Sequence, residues 1–420
     1  MRGRTQDASV GSSQLIRRLN AQRVLQQMWH SEPTTASELM EVTGLTRATV
    51  LALCRELADH GWLQVLENAR QAGTYTKGRP ALRYAFRQNA CYVVGVDAGQ
   101  HRISASVADL RGCEIGYAQR ALQPRLHDPD QHTGAERRQE ILAIVDAALE
   151  QAAVAAADVG SMVIGVPAPV DVEGRSPEGL NRFWGRMNPG LVSMGAEYGW
   201  DCAVENDANL AALAELNSGP TAEDSSFAAL LSGERLGSGI VVSGALWRQP
   251  RGSAGELGML ELVNGVESTM GLGWWARHLA QDAIRAGAAE GSLSGLRADE
   301  VQAEQVFAAA SRGEAVALEI IDELADRLAR ICVVLTGLLD LDRIVVSGAV
   351  APALAGVVAS AKEKLSAYMY APWLDIATSS LGEDAVRIGA VASAVERVQE
   401  RALDGEPAER KMGQGSRATS

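Results

Sequence analysis

Beyond its first ninety residues, the chain alternates short apolar runs and glycine-rich turns with alanine-rich segments. Short apolar runs bounded by glycine are typical of buried β-strands, whereas the alanine-rich segments predict helices. Residues 92–112 and 227–246 each read as strand, turn, strand, and 162–171 read as a buried strand leading into a proline-containing loop. Residues 343–350 and 386–395 read as strands or helix starts. This alternation predicts an α/β fold with largely parallel sheets.

The first ninety residues have the layout of a helix-turn-helix. Thr35 and Glu38 have the spacing of a capping box, which begins a short helix. Residues 43–45 contain the glycine that a tight turn needs, and Thr46 can cap a second helix that Gly61 ends. A preceding helix is indicated by apolar residues at helical spacing: Leu15, Ile16, Leu19, Val24, Leu25 and Met28. Helix, glycine turn, helix is the arrangement of this motif.

Two strand-like stretches, residues 62–66 and 82–86, follow this motif and enclose a glycine-rich, basic loop at 67–81. Together they predict the wing of a winged helix. Residues 1–90 carry 12 Lys and Arg against 7 Asp and Glu, whereas the rest of the chain carries 27 against 45. A basic head on an acidic body favours a head that meets a polyanion. A three-helix unit with a hairpin and no DNA-binding role is the alternative.

Five residues of this head are candidate DNA contacts. The start of a recognition helix faces base edges in the major groove, which selects Thr46, Arg47 and Thr49. Lys77 and Arg79 lie on the predicted wing, where basic side chains reach phosphates or a minor groove. The sequence therefore predicts double-stranded operator DNA as a partner.

The stretch ENDAN, residues 205–209, concentrates polar side chains where an apolar run meets a helix-like segment. Three interpretations follow from the residues alone. Asp207 is a catalytic base, or it binds a ligand without doing chemistry, or Asn206 or Asp207 simply caps the helix.

The order of motifs resembles the ROK family (repressors, open reading frames and kinases) over roughly residues 12–400. The motifs are GRPALRYAF, VVGVDAG, GVPAPVD, ENDAN, GIVVSGAL, GSAGELG and VVSGAV. The resemblance implies an actin-like, two-lobed sugar-kinase body with the sugar in the cleft between the lobes. Members with an N-terminal winged helix, such as the xylose and N-acetylglucosamine repressors, are mostly sugar-responsive transcription regulators.

The resemblance also implies a domain organisation. A winged helix-turn-helix DNA-binding domain is expected over 12–88, a first lobe over 91–205 and a second lobe over 206–403. The C-terminal helix of the second lobe can return to the first. The polar, Gly/Ser-rich tail at 404–420 is expected to be disordered.

Phosphoryl transfer needs phosphates held in place, Mg²⁺ and a base aligned on the attacking hydroxyl. In ROK kinases the aspartate of ENDAN is the base, which is Asp207 here. The first turn, typically Asp-x-Gly-Gly-Thr, reads DAGQH at 97–101, and the second, normally Gly-Thr-Gly-rich, reads GERLGSG at 233–239. Glu234 places a negative charge where a triphosphate would repel it. We therefore expect no kinase activity, no cofactor and only a vestigial base at Asp207.

The resemblance assigns ligand binding to Asn206, Asp207 and Glu256. Amide and carboxylate groups suit this role because they match the paired donors and acceptors of sugar hydroxyls. The predicted small-molecule effector is a sugar or sugar derivative.

Many family members follow that glutamate with a histidine and a cysteine cluster, which hold a structural zinc. Here Met259 takes the histidine position, and the following segment contains no cysteine. The sequence therefore predicts no metal site, and packing of Trp274 and Trp275 is expected to order the segment instead.

The remaining features concern the compartment. No apolar run is long enough for a transmembrane helix, and the N-terminus lacks the apolar core of a signal peptide. The scattered cysteines form no CxxC pair, so they are expected to be buried and free in a reducing compartment: Cys54, Cys91, Cys113, Cys202 and Cys332. We expect a cytoplasmic protein without a membrane partner.

Together these features predict a sugar-responsive DNA-binding regulator, and specifically a repressor, that forms a homodimer or homotetramer. Two alternatives stay open at this point. One is an active ATP-dependent sugar kinase with a DNA-binding head, and the other is a ROK regulator that responds to a non-sugar effector.

Overall fold

The structure is a computed structural model that describes residues 5–66, 82–123, 133–177, 182–218, 225–368 and 373–403. The predicted wing loop with Lys77 and Arg79 and the tail at 404–420 lie outside the described residues. The chain divides into two compact units. The first comprises the described parts of 1–93, 108–114 and 395–420, and the second comprises those of 94–107 and 115–394. Within these ranges, no helix is long and apolar enough to cross a membrane.

The first unit contains the predicted helix-turn-helix and hairpin. Its elements are α1 (Thr5–Trp29), β1 (Thr34–Thr35), α2 (Ala36–Thr43), α3 (Arg47–Asp59), β2 (Leu63–Leu66) and β3 (Arg83–Phe86), with an antiparallel sheet in the order β1-β3-β2. The capping box of Thr35 and Glu38 is confirmed, and Gly44 ends α2 at a φ of +68°. The Thr46 hydroxyl caps α3 by accepting the Thr49 N–H. Gly61, at a φ of +80°, follows the end of that helix.

Trp29 anchors the core of this unit. Its ring lies 4.3 Å from Phe86 and 6.1 Å from Trp62, centroid to centroid, and its Nε1 donates to the Leu110 carbonyl at 2.6 Å. Only the second half of the apolar face of α1 packs there. Val24, Leu25 and Met28 are buried, whereas Leu15, Ile16 and Leu19 are more than half exposed.

The second unit is built around two five-stranded sheets. The first runs in the order β6-β5-β4-β7-β8, and β7 and β8 pair in parallel with Val166 opposite Asn206. Its strands, and the two helices inserted between β6 and β8, are β4 (Tyr92–Ala98), β5 (Arg102–Ala108), β6 (Glu114–Ala121), α4 (Gly134–Ala152), β7 (Val159–Val166), α5 (Arg182–Met187) and β8 (Asp201–Asn206).

The second sheet runs in the order β11-β10-β9-β12-β13, and the remaining helices surround it. The elements are α6 (Asp207–Ser218), β9 (Phe227–Ser232), β10 (Leu236–Val242), β11 (Ala245–Leu246), α7 (Leu272–Arg285), α8 (Ala303–Ser311), α9 (Ala315–Leu339), β12 (Arg343–Ser347), α10 (Ala355–Leu365), β13 (Asp375–Thr378) and α11 (Ala385–Arg401). Short 3-10 helices occupy 156–158, 192–198, 258–262, 291–293, 351–354 and 382–384.

Several expectations need correction. The second sheet is mixed, since β9 and β10 pair antiparallel while β9–β12 and β12–β13 are parallel. The three-residue link at 233–235 allows only an antiparallel hairpin. Residues 386–395, by contrast, form the start of helix α11, which is one of the two structures expected for them. Burial of all five cysteines is wrong, because Cys113 is exposed and Cys202 is partly exposed.

Helix α6 has backbone contacts that only glycine permits. Every residue from Ala208 to Glu215 is buried. A Cβ added to Gly389 of α11 would lie 1.8 Å from the carbonyl oxygen of Leu210, so the two helices touch backbone to backbone. A side chain there must push the helices apart.

Gly389→Ala is expected to lower the free energy of unfolding by at least about 2 kcal/mol, because overpacking at a rigid backbone contact is not relieved by rotamer changes. Gly356→Ala on α10 is the matched control, since no described residue outside its own stretch of helix brings an atom within 4 Å of the added Cβ. In that position alanine should stabilise the helix by about 0.5–1 kcal/mol. Urea denaturation followed by tryptophan fluorescence measures both. Equal effects of the two substitutions would contradict this packing.

Candidate functional site

The junction of β8 and α6 holds Asn206 by two hydrogen bonds. Its Oδ1 accepts the N–H of Asn209 at 3.1 Å, and its Nδ2 donates to the Ala168 carbonyl at 3.0 Å. The first contact is the helix cap that one interpretation of the sequence predicted. The second fixes the loop after β7 against the start of α6, so Asn206 has a structural role whether or not it also binds a ligand.

Two outer residues of the ENDAN motif support this junction, and the sequence analysis missed them. Glu205 accepts a hydrogen bond from Asn209 Nδ2 at 2.9 Å and pairs with Arg248 Nε at 2.7 Å. The motif itself marked Glu205 and Asn209. By contrast, no local pattern marked Arg248, which lies 43 residues from its partner along the chain.

Asp207 is the first residue of α6, and its carboxyl accepts the N–H of Ala208 at 2.7 Å. Burial, together with the negative charges of Asp97 and Glu256, raises the pKa of this carboxyl to about 8, against the hydrogen bond from Ala208. The structure thus brings three carboxyl groups, those of Asp97, Asp207 and Glu256, close enough to interact electrostatically. At neutral pH Asp207 is therefore mainly a neutral acid that can donate a hydrogen bond.

Glu256 lies on a loop that two glycines hold against the fold. A Cβ on Gly252 would lie 2.1 Å from the Val170 carbonyl oxygen, and one on Gly255 would lie 1.8 Å from that of Ser238. The Ser238 hydroxyl also donates to the Gly255 carbonyl at 2.9 Å. Glu256 itself is exposed, although the surrounding protein still raises the pKa of its carboxyl by desolvation. The first two glycines of the GSAGELG motif therefore permit close backbone approach, whereas a Cβ on Gly258 would meet no atom of the neighbouring described residues within 4 Å.

The first glycine turn, at 97–101, is surrounded by arginines. Arg137 is fully buried, donates to the carbonyls of Ala98 and Gly99, and has its guanidinium 5.0 Å from the ring centroid of Trp184. Burial raises the pKa of Asp97 to about 6, although Arg102 and Arg137 counteract this. Burial also lowers the pKa of Arg137 to about 10.

The second glycine turn, at 233–239, is tightly packed. A Cβ on Gly239 would lie 2.1 Å from the Ala208 carbonyl oxygen, and one on Gly271 would lie 2.0 Å from that of Gly233. Glu234 pairs with Arg277 of α7 at 3.1 Å. Glycine at 239 is thus required for β10 to pack on α6, independently of any phosphate.

Trp274 and Trp275 lie on α7, in the segment that the family's zinc would order. Trp274 stacks on His278 at 4.5 Å between ring centroids, and Trp275 packs against the core of the second sheet's helices. Met259, which takes the family's histidine position, is 39% exposed.

In the first unit, the predicted DNA contacts of the described residues occupy the start of α3. Thr46 and Arg47 are exposed, and Thr49 is half-buried. Thr46 and Thr49 also bond to each other through their hydroxyls at 2.9 Å, so both threonines are partly committed to capping. Of these three residues, Arg47 alone carries a charged side chain, and it is exposed at the start of the helix.

Two protein-family models match this chain, one over its body and one over its N-terminal helix-turn-helix. The ROK family model matches residues 93–397, which is most of the chain, and the chain belongs to the ROK family. The IclR helix-turn-helix domain model matches residues 20–67. The expected helix-turn-helix ahead of a ROK body is therefore confirmed.

Known proteins similar to this chain include both regulators and kinases. The xylose repressor of Bacillus subtilis (strain 168) is 22% identical over 278 residues, covering 66% of this chain and 69% of the repressor. The crystal structure of a ROK family transcriptional regulator, a homologue of the E. coli Mlc protein, superimposes with a TM-score of 0.73 at 20% identity, covering 93% of this chain and 98% of that one. A ROK family glucokinase from Streptomyces griseus, in complex with glucose and AMPPNP, gives a TM-score of 0.57 at 26% identity, covering 73% and 99%. These folds confirm the actin-like sugar-kinase architecture.

Asp207→Asn should change how stability depends on pH. The pKa of Asp207 rises from 3.8 to about 8 in the folded protein, so ionisation opposes folding increasingly as the pH rises between those values. Asparagine keeps an acceptor for the Ala208 N–H and does not ionise. As the pH rises, the unfolding free energy of the variant should therefore increase relative to that of the wild type by up to about 1.4 kcal/mol per pH unit.

Urea denaturation at pH 5, 6, 7 and 8 measures this gain. Asp146→Asn, which removes an exposed carboxyl from α4, is the matched control. A difference between Asp207→Asn and wild type that stays constant with pH would mean that the Asp207 carboxyl is ionised in the folded protein throughout this range, as it is in the unfolded chain.

Proposed function

We propose that this protein is a sugar-responsive DNA-binding transcriptional regulator that acts as a repressor of carbohydrate-metabolism genes. The observation that carries the proposal is the union, in one chain, of a helix-turn-helix at 20–67 with a ROK body. The similarity to a xylose repressor, which also covers two thirds of that protein, supports the same function.

The effector site of the proposal consists of Asn206, Asp207 and Glu256. A sugar ring offers several hydroxyls that each donate and accept, and burial requires all of them to be satisfied. A neutral Asp207 donates as well as accepts, while the carboxylate of Glu256 accepts. The proposed site thus provides both halves of such a pattern, with Asn206 contributing its remaining amide hydrogen.

The same geometry argues against phosphoryl transfer. A general base must be ionised to take the proton of the attacking hydroxyl, whereas burial raises the pKa of Asp207 to about 8. Glu234 adds a negative charge to the second glycine turn, and Arg277 neutralises it only by a pair that a nucleotide would have to break. We therefore propose a body that binds a sugar without using ATP as substrate.

Active sugar kinase is the second candidate, favoured by the 26% identity to a glucokinase that binds glucose and a nucleotide analogue. In that case Asp207 is the base, and a bound sugar must lower its pKa. A regulator with a non-sugar effector is the third. Met259 favours it, because it replaces the histidine that many family members have after the glutamate of GSAGELG.

On DNA we propose that α3 reads base edges through Arg47, assisted by Thr46 and Thr49, and that Lys77 and Arg79 on the predicted wing contact the backbone. Two copies in a homodimer, or four in a homotetramer, place two heads on half-sites about 34–36 Å apart or at multiples of that distance. A sugar that favours one spacing shifts the DNA affinity. The proposal also includes the domain organisation: a winged helix-turn-helix domain at 12–88, a first lobe at 91–205 and a second lobe at 206–403. It places the protein in the cytoplasm.

Arg47→Ala is expected to lower affinity for the operator by about fivefold or more, because a lost base contact costs about 1–3 kcal/mol. Arg55→Ala removes the same charge two turns along α3 and is the matched control. The loss of affinity in this control should stay below about threefold at fixed salt, because in the proposed complex the Arg55 side chain contacts neither a base nor a phosphate. Fluorescence anisotropy on DNA from upstream of the protein's own gene, against a scrambled duplex, measures both. Equal losses, or no preference for the upstream DNA, would contradict the proposed role of α3.

A further inference from the structure

The segment that follows Glu256, residues 257–271, does not fit the zinc that its counterpart in many family members holds. Zinc sites of this kind need four thiolate or imidazole ligands. Met259 stands at the histidine position, and the described residues contain no group of three or more His, Cys, Asp or Glu that could hold a metal ion. Another interaction must therefore order this segment.

Arg330 of α9 provides one such interaction. Its Nη1 donates to the Asn264 carbonyl at 3.1 Å. Asp326, one turn earlier on the helix, accepts from Nε at 2.7 Å, and the ring of Tyr368 lies 4.8 Å from the guanidinium carbon. The acid and the ring hold the guanidinium plane in the orientation that the carbonyl needs.

Arg327, three residues earlier on the same face of α9, repeats the arrangement. Its Nη1 donates to the Val266 carbonyl at 2.7 Å, and its Nη2 donates to Glu323, again one turn earlier, at 3.2 Å. The Trp275 ring centroid lies 3.7 Å from the guanidinium carbon. Each arginine thus has an acid at i−4, an aromatic face and a carbonyl of the same short stretch.

The backbone between the two carbonyls is shaped around these arginines. Gly265 has a φ of +80°, and a Cβ there would lie 2.8 Å from Arg330 Nε. Val266 is 2% exposed and belongs to the core formed by the helices of the second sheet. The arginines therefore hold residues 264–266 at a place where the chain turns sharply into the core.

Backbone hydrogen bonds connect this stretch to the second glycine turn. The Leu236 N–H donates to the Thr269 carbonyl at 2.7 Å, and the Gly271 N–H donates to the Glu234 carbonyl at 3.0 Å. The segment between Glu256 and α7 is thereby bonded to helix α9 at residues 264–266 and to the second glycine turn at residues 269–271.

We propose that Arg327 and Arg330 form an arginine clamp that orders residues 257–271 in place of the zinc site, and that through Thr269 it positions the second glycine turn. Two charge-assisted bonds with fixed donor planes restrain a loop without a metal. Both arginines are positioning residues in this proposal, which requires no effector and stands apart from the identity of the ligand.

Metal content is the first test. The full-length protein, purified without chelator, should contain far less than one zinc ion per chain when measured by inductively coupled plasma mass spectrometry. Its amide hydrogen exchange at Val266 and Leu236 should not change when EDTA is added. About one zinc per chain, together with faster exchange after EDTA, would overturn the proposal.

Arg327→Ala and Arg330→Ala, made separately, test the clamp itself. Exchange of the amides of Val266, Leu236 and Gly271 should accelerate at least tenfold, while that of β12 stays unchanged. Arg297→Ala, which removes a surface arginine that is 72% exposed, is the matched control and should alter none of them.

Arg330→Lys covers the case in which an alanine variant fails to fold. The lysine ammonium keeps the positive charge but lacks the planar guanidinium that contacts Asp326, Tyr368 and the Asn264 carbonyl together. Amide exchange in this variant should therefore be faster than in the wild type and slower than in a soluble Arg330→Ala variant. Unchanged exchange at Val266 in the lysine variant and in every soluble alanine variant would overturn the proposal. So would acceleration that is equal throughout the chain, since that reports lost global stability rather than a local restraint.

Discussion

The site depends on backbone contacts that fix helix α6 on two sides. Gly389 of α11 leaves no room for a Cβ above the Leu210 carbonyl, and Gly239 of β10 leaves none above the Ala208 carbonyl. Because packed backbones have no side-chain rotamers through which to relax, the start of α6 has one position relative to these two elements. That position in turn places the caps and carboxyls of the ENDAN motif.

The consequence for chemistry is a carboxyl group whose protonation is set by its surroundings. Asp207 is desolvated, and Asp97 and Glu256 add unfavourable negative charge. A fold that evolved around phosphoryl transfer needs such a residue ionised at the moment of reaction. A sensor that binds hydroxyls gains instead from a neutral acid, because it can donate and accept at one site. In the proposed function, Asp207 acts as such a neutral acid.

Local signals in the sequence predicted local structure well. The capping residues Thr35 and Thr46 and the strand-turn-strand units are confirmed because each depends on neighbours within a few residues. The sequence placed the exposed half of α1 on the same apolar face as its buried half, since periodicity does not reveal where a packing partner ends. The family resemblance relates the glycines of the second turn to phosphate binding, whereas the structure shows that Gly239 is needed for packing on α6.

Interactions between distant parts of the chain were beyond prediction from one sequence. The Glu205–Arg248 pair joins residues 43 apart, and Arg327 meets the carbonyl of Val266 from 61 residues away. Arginine and glutamate on helix surfaces are ordinary residues until the fold gives them a partner. The loss of the zinc ligands was visible in the sequence, but what replaces them depends on tertiary contacts of α9.

We propose that this ROK body senses a sugar without phosphorylating it. The most direct measurement is DNA-binding anisotropy during titration with D-xylose, D-glucose, N-acetylglucosamine and their phosphates, with and without ATP and Mg²⁺, while sugar phosphate formation is followed in the same samples. We expect one of these ligands to shift the DNA affinity equally with and without ATP, and no sugar phosphate to form. The shift should be lost in Glu256→Gln and kept in Glu261→Gln. A shift that requires ATP, or accumulation of a sugar phosphate, would contradict the account.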